Sequence, residues 1–387
     1  MIRTLFFFLS FSLIATSFSF SQNDSDKKAV NKEKIKREEK KAEKERLKQI
    51  EKENKQVNSD TKLEQQGNYV PTYGVSAVKV ADSIYMLKGK GGNMGLCFGN
   101  DGAFMIDDQF AEGTDAILTT VGFFTKKPVQ FLINTHHHGD HTGGNENMLQ
   151  KGTVIFAHEN VRKRLIMEAS KKIQDSIDKV FEKNLEKFKK DGANEERAEL
   201  SAKRTVSELE NTIVLSNNLP MITFADDLTF HFNGEKIFVF HVHNAHTDGD
   251  SMVYFTDSNV LHTGDVFVSN LYPFIDIANG GSIKGYKEAL SKILMVANED
   301  TKIIPGHGEI ASLQDVKYTQ SMVEFLHSRI AYHFLEKKSK AQIKALNLTK
   351  DFDAKGFGSG FISSEKFFDV LYDDVERTYS TKNKEKE

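Results

Sequence analysis

The stretch INTHHHGDHTGGN, residues 133–145, combines four histidines with one aspartate and three glycines. Its ligand-type residues follow the pattern H-x-H-x-D-H, at His136, His138, Asp140 and His141. Neutral imidazoles and carboxylates are the ligands that a borderline metal such as zinc prefers. His136 and His138 are two positions apart, so an extended chain points both the same way, whereas His137 points away and is expected either to support the ligands or to be structural. The spacing therefore predicts a metal site.

Three further candidates each follow an apolar run and have glycine nearby, at a place where a sheet edge presents side chains. They are His246 in NAHTDGDS, Asp265 in LHTGDVF and His307 in IIPGHGE. His241 and His243 compete with His246 for a ligand position, because they alternate along one strand and share a face. We expect His241 and His243 to be structural.

These four motifs, in this order, resemble those of the metallo-β-lactamase-fold hydrolase superfamily, and the resemblance spans roughly Val75 to Leu313. It implies an α+β fold, a four-layer αββα sandwich, with two zinc ions per chain at one edge. Carried over position by position, one zinc is held by His136, His138 and His246, the other is held by Asp140, His141 and His307, and Asp265 is the bridging carboxylate of the glyoxalase-II-like branch.

The resemblance also implies a hydrolase that acts on a small molecule. Two zinc ions lower the pKa of a shared water from about 15.7 toward 7, which gives a nucleophilic hydroxide at neutral pH. We expect hydroxide to attack the carbonyl of an ester, thioester, lactone or amide. Asp140, which can orient the hydroxide, and Asp265 are the predicted catalytic residues, and no serine or cysteine nucleophile is needed.

Two other functions stay open at this point. In the zinc β-lactamases that this chain resembles, a cysteine occupies the position of Asp265 and a lysine lies three positions later, where this chain has Val268. A second lactamase branch lacks both features, so a zinc β-lactamase is one alternative. A non-catalytic metal-binding scaffold of the cell envelope is the other, although the complete second ligand set argues against it.

The segment after Asp265 has two interpretations. Tyr272, Phe274 and Asn279–Gly281 either line the mouth of the substrate pocket or only pack against neighbouring elements.

The elements that must position these residues begin near Tyr69, where short apolar runs alternate with turns and predict strands. A helix is predicted over Thr114–Phe124, followed by the strand VQFLINT, which ends at the histidine run. Apolar residues at three- and four-residue spacings predict an inserted helical hairpin over about 159–211. Amphipathic helices are predicted over about 312–380, so one domain spans 69–387.

The N-terminal residues resemble a secretory signal peptide, residues 1–21. An apolar run of about 16 residues follows Arg3 and is shorter than the roughly 20 that a bilayer requires. It ends in Ser19-Phe20-Ser21, a small-x-small cleavage pattern. We therefore predict export to the periplasm or the extracellular space, with no transmembrane span after cleavage.

Residues 22–68 are predicted to be a charged linker, either disordered or a solvated helix. Thirteen basic and seven acidic residues lie between Lys27 and Gln56, so weak contact with an anionic surface is the alternative to a simple spacer. The whole chain has a formal net charge of −3, and we predict no nucleic-acid partner. Cys97 is the only cysteine, so no intramolecular disulfide can form.

Overall fold

The computed structural model describes residues 69–72, 74–210 and 218–384. The predicted signal peptide and charged linker lie outside these residues. None of the described helices has both the length and the apolar composition needed to cross a membrane.

Within the described residues, eight strands form the first sheet, and their order in the sheet follows their order in the chain. The first five are antiparallel, whereas β5 to β8 run parallel. They are β1 (Tyr69–Thr72), β2 (Val75–Lys79), β3 (Ile84–Lys88), β4 (Met94–Gly99), β5 (Gly102–Ile106), β6 (Val129–Asn134), β7 (Val154–His158) and β8 (Ile222–Phe224).

In the part of the chain that the structure describes, five strands form the second sheet, in the order β13-β12-β11-β10-β9. The pairs are antiparallel except for β12 and β13, which are parallel. They are β9 (Asp227–Phe232), β10 (Glu235–His241), β11 (Ser251–Phe255), β12 (Val260–His262) and β13 (Lys302–Ile304).

The α-helices pack outside the two sheets or extend from them. They are α1 (Thr114–Phe124), α2 (Gly139–Thr142), α3 (Asn145–Gln150), α4 (Glu159–Lys190), α5 (Glu195–Glu210), α6 (Ile283–Val296), α7 (Leu313–Leu335), α8 (Lys340–Lys344), α9 (Lys350–Asp353) and α10 (Ser364–Lys384). Helices α4 and α5 form a hairpin between β7 and β8, in the region where the apolar periodicity predicts one.

Local sequence explains the pairing of β9 with β10. In β9, Leu228, Phe230 and Phe232 face the core while the intervening residues face solvent, as a period-two pattern requires. Asn233 and Gly234 join the two strands with φ angles of 56° and 80°, which a two-residue hairpin with a type I′ turn needs.

Three apolar clusters separate four layers, which confirms the predicted αββα sandwich. Phe104 of the first sheet packs between the sheets against Phe230 and Phe255 of the second, with ring centroids 5.2 and 6.4 Å apart. A second cluster joins the first sheet to α1 and α3, and a third joins the second sheet to α6, α7 and α10. Each fully buried phenylalanine contributes roughly 1.5–3 kcal/mol, so a core without tryptophan is still well stabilised.

The strands that precede the candidate residues end at one side of the molecule. Strands β5 and β6 are parallel, and β10, β12 and β13 share one direction because β11 is antiparallel to both of its neighbours. The carboxyl ends of parallel strands meet at the same sheet edge, so the loops after these strands can converge.

Candidate metal centre

The first candidate ligand group contains three histidines and one carboxylate. The ligand atoms of His136, His138, His246 and Asp265 all lie within 4.8 Å of one another. His138 Nδ1 lies 3.0 Å from His246 Nε2, so these two ring nitrogens face the same point. His136 follows β6, while His246 is in the loop after β10, so the group joins the two sheets at their shared edge.

The second group contains Asp140, His141 and His307, again with ligand atoms within 4.8 Å of one another. Asp140 Oδ2 lies 3.3 Å from His307 Nε2 and 3.6 Å from His141 Nε2. The His141 side chain is fully buried, whereas His307 is 34% exposed and Asp140 is 27% exposed. This group therefore opens to solvent on the side of Asp140 and His307.

Asp265 lies between the two groups. Its Oδ1 is 3.2 Å from His141 Nε2, and its Oδ2 is 3.4 Å from His307 Nε2 in the second group. The same Oδ2 lies 3.7 Å from His246 Nε2 and 4.0 Å from His136 Nε2 in the first group. One carboxylate thus faces both sets of ligands, which is the position that the resemblance implies for a bridging aspartate.

Two glycines allow the backbone to pass close to these side chains. A Cβ at Gly92 would lie 2.1 Å from the ring of His141, and a Cβ at Gly306 would lie 2.0 Å from Oδ1 of Asp265. No real Cβ tolerates such distances, so only glycine fits at either position. Gly92 and Gly306, which are not themselves candidate ligands, therefore leave the room that the side chains of His141 and Asp265 occupy.

The side chains at this site fit divalent metal ions. Within the described residues, the buried atoms His136 Nε2, His141 Nε2 and Asp265 Oδ1 have no hydrogen-bond partner. A buried polar atom without a partner costs roughly 1–3 kcal/mol, so three of them within these two neighbouring groups require an explanation. Imidazole nitrogens and carboxylate oxygens are the donors that zinc and similar cations prefer.

The electrostatics of the site favour added positive charge. Burial opposes ionisation of Asp265, but His141 and His307 hold the pKa of its carboxyl well below the usual range. Burial likewise opposes protonation of His307, yet the carboxylates of Asp265 and Asp140 raise its pKa to about 9. Burial lowers the pKa of His246 to about 4, which leaves it a neutral ligand at pH 7.

Sequence reasoning missed the groups that orient the candidate ligands. Asp107, directly after β5, has its Oδ2 2.7 Å from His141 Nδ1. Asp276 Oδ2 lies 2.9 Å from His138 Nε2, and the backbone oxygen of Phe274 accepts from His246 Nδ1 at 2.7 Å. Of these groups, only Asp107 could have been identified from the sequence. Asp107 and Asp108 directly follow β5, and the histidine run directly follows the neighbouring strand β6.

The histidines judged structural from the sequence lie outside both groups. His241 stacks on His158 with ring centroids 3.8 Å apart, and His241 Nδ1 donates to the backbone oxygen of Asp250. His243 is exposed and meets His241 edge-on. His137 is buried, with its Nε2 3.5 Å from Glu168 Oε1.

A cavity of about 490 Å³ opens beside Asp140, Asp265 and His307. Tyr272 and Phe274 line it, as one of the two interpretations of this segment predicts. The Asn279–Gly281 turn instead packs on the loop that carries His246: a Cβ at Gly281 would lie 2.3 Å from the backbone oxygen of His246. The first part of the segment after Asp265 therefore lines the cavity, and its later part packs against a neighbouring loop.

Comparison with known proteins agrees with this geometry. The sequence model of the metallo-beta-lactamase superfamily matches residues 89–307, more than half of the chain, and this span contains all seven candidate ligands. The chain matches none of the curated proteins with which it was compared.

Among solved structures, it is similar to a metallo-beta-lactamase from Pontibacter korlensis, at 18% identity over 65% of this chain and 99% of the other, with a TM-score of 0.47. It is also similar to the DIM-1 metallo-beta-lactamase, at 16% identity over 66% of this chain and 99% of the other, with a TM-score of 0.46. On the match to the superfamily's sequence model, the chain belongs to the metallo-beta-lactamase superfamily, whose members are mostly hydrolases.

Proposed function

We propose that the protein is a hydrolase that uses two zinc ions to cleave an ester, thioester, lactone or amide-type carbonyl compound. The observation that carries this proposal is the position of Asp265, whose two oxygens face His141 and His307 on one side and His136 and His246 on the other. A carboxylate between two ligand groups is suited to holding two cations close together.

When bound, divalent ions supply Lewis acidity, which activates water and polarises a carbonyl oxygen at neutral pH. His136, His138 and His246 would hold one ion, and Asp140, His141 and His307 would hold the other, with Asp265 shared. His246 is held in place by the backbone oxygen of Phe274, and His141 by Asp107, so the imidazole rings keep a fixed orientation.

Asp140 is the side chain best placed to handle a proton. Burial opposes its ionisation, but His307 lowers the pKa of its carboxyl, so it is charged at neutral pH. Its side chain is partly exposed to the cavity that lies beside it. Asp140 can therefore accept a hydrogen bond from an attacking water and orient it toward a carbonyl held in the cavity.

The cavity favours this proposal over a non-catalytic metal-binding scaffold. A scaffold that only stores metal has no need of a cavity large enough for a small molecule beside its ligands, and 490 Å³ is within the range of small-molecule sites. A zinc β-lactamase stays a candidate that the same assay separates. We also propose export, which is supported by the N-terminal sequence pattern alone.

The test is metal analysis of the purified protein, followed by hydrolysis of an ester, a thioester, a lactone and a lactam, each with and without a chelator. We expect two zinc equivalents and turnover that a chelator abolishes and added zinc restores. Asp140→Asn should lower kcat/KM by about a hundredfold or more. The matched control is His243→Gln, which removes an imidazole that lies outside both groups and should leave kcat/KM within about twofold.

Two results would overturn the proposal. One is a preparation that retains no divalent metal after dialysis. The other is turnover of these substrates that is unaffected by chelation or by Asp140→Asn.

A further inference from the structure

The cavity beside the metal centre has a polar floor and apolar walls. Twelve described residues line it. Four of them are the candidate ligands His138, Asp140, Asp265 and His307, which lie together at one end. Seven of the remaining eight are apolar or aromatic, so a molecule whose carbonyl reaches the ligands must place its other atoms against hydrocarbon.

One wall comes from the segment after Asp265, through Val268, Leu271, Tyr272 and Phe274. The Tyr272 hydroxyl donates to Asp353 Oδ1 at 2.8 Å, so this hydroxyl is already paired. Tyr272 therefore contributes its aromatic ring, rather than a free hydroxyl, to the cavity lining.

A second wall, in contact with the first, comes from the C-terminal part of the chain, through Phe361 and Ile362. The ring of Phe361 meets that of Phe274 edge-on at 5.7 Å, and Phe274 in turn stacks on His138 at 5.7 Å. Phe361 is nevertheless 78% exposed. A large aromatic side chain held open at a cavity rim is unfavourable in water, and it gains stability when an apolar ligand covers it.

Charge gives the second, independent observation. Among the lining residues that the structure describes there is no lysine or arginine, so the cavity wall offers no side-chain cation away from the metal centre. Lys366 Nζ lies 5.3 Å from the ring centroid of Phe361, but Lys366 does not line the cavity. An anionic group that enters the cavity away from the metal centre thus loses its hydration without gaining a partner.

From these observations we propose that the cavity binds an uncharged apolar chain, so that the substrate is a carbonyl compound with an aliphatic acyl group rather than one with a second carboxylate. This proposal rests on the proposed hydrolase function and adds its substrate class. Phe361 and Ile362 are then specificity-determining residues, which lie beyond the span that matches the superfamily.

Two ligands of equal length test the binding preference without any turnover. Octanohydroxamic acid has a neutral methyl end, whereas 8-(hydroxyamino)-8-oxooctanoate has a carboxylate at that end, and both carry the same zinc-binding hydroxamate group. We expect isothermal titration calorimetry with the zinc-loaded protein to give a Kd for octanohydroxamic acid at least about tenfold lower than for the carboxylate. Equal affinity, or tighter binding of the carboxylate, would overturn the proposal and point to capture by a cation such as Lys366.

A matched pair of variants tests the wall. Phe361→Ala should weaken the binding of octanohydroxamic acid about three- to tenfold, because it removes an aromatic ring from the rim. Phe123→Ala removes a phenylalanine that is 60% exposed on α1, away from the cavity, and should leave the Kd unchanged. Both side chains are exposed, so neither substitution should prevent folding. An unchanged Kd for Phe361→Ala would contradict the assigned role of this wall.

Kinetics extend the test to the reaction itself. For phenyl esters of acetic, butyric, hexanoic and octanoic acid, kcat/KM should rise by up to about fourfold for each methylene that the cavity buries. A flat series would overturn the substrate class while leaving the hydrolase function intact. If chelation had no effect on turnover, the hydrolase function itself would fail, whereas the calorimetric comparison would still decide what the cavity binds.

Discussion

Asp107 and His141 form a buried pair in which the carboxylate oxygen Oδ2 lies 2.7 Å from Nδ1 of the imidazole. The opposite nitrogen of the ring, Nε2, lies 3.2 Å from Oδ1 of Asp265. Asp107 also accepts from the backbone and hydroxyl of Thr135, so its orientation is fixed by the strand end that leads to His136. The pair therefore fixes which nitrogen of His141 is available to a metal ion.

We expect Asp107→Asn to weaken zinc binding about 10- to 100-fold, because a carboxylate that orients a histidine ligand also increases its basicity. Asparagine has the same shape and tolerates the φ of 60° at this position, so the fold should persist. Zinc affinity can be measured by competition with a chromophoric chelator. Asp315→Asn, which removes a carboxylate from the N-terminal cap of α7, is the matched control. If both variants bind zinc like the wild type, the pair does not orient a ligand.

A second prediction concerns the packing of α6 on the loop that carries His246. A Cβ at Gly285 would lie 2.0 Å from the backbone oxygen of Asn244 and 2.6 Å from that of His243. Gly285→Ala should lower the free energy of unfolding by at least about 2 kcal/mol, because two backbone atoms must move. Urea unfolding measures the change.

The control for this prediction is a glycine in another helix. Nothing lies within 4 Å of a Cβ at Gly122 in α1, so Gly122→Ala should stabilise the protein by up to about 1 kcal/mol. Similar effects at Gly285 and Gly122 would show that helix propensity, rather than the close approach to Asn244, determines the outcome.

A third prediction concerns the two long C-terminal helices and the pH dependence of stability. His327 Nε2 of α7 lies 2.9 Å from Asp374 Oδ2 of α10, and Arg377 donates to Oδ1 of the same carboxylate. The hydrogen bond from His327 and the contact with Arg377 lower the pKa of Asp374, although burial opposes this. A carboxyl with a lowered pKa adds stability above the unfolded-state pKa, near 4, and this stability is lost as the pH falls through the folded-state pKa.

Asp374→Asn should therefore reduce the free energy of unfolding at pH 6 by up to about 1 kcal/mol, since both partners remain partly solvated. The difference from the wild type should shrink at pH 3. Urea unfolding at the two pH values gives both numbers, and Asp351→Asn, at an exposed carboxylate on α9, serves as the control. A difference that does not depend on pH would mean that Asp374 acts through packing rather than charge.

Local spacing in the sequence was enough to select the candidate ligands. His136, His138, Asp140 and His141 are close in the chain, and His246, Asp265 and His307 each follow a strand whose apolar pattern is clear. The αββα layers followed from the resemblance that these motifs carry. The structure brings all seven side chains together, while their roles as ligands stay a prediction.

What the sequence could not provide depends on contacts between distant segments. Asp276 reaches His138 only because the loop after Asp265 folds back across the sheet edge. Phe361 meets Phe274 although 87 positions separate them, and no periodic pattern links the two. Such contacts arise from packing of the whole domain, so a one-dimensional pattern does not contain them.

The two walls of the cavity have different origins in the chain. All candidate metal ligands, and Phe274, lie within residues 89–307, whereas Phe361 and Ile362 lie in the C-terminal part that follows. Part of the wall that would select the substrate is thus encoded outside the stretch that carries the candidate ligands. Recombination at a crossover near residue 312 would exchange the wall that contains Phe361 and Ile362 and leave the candidate metal ligands unchanged.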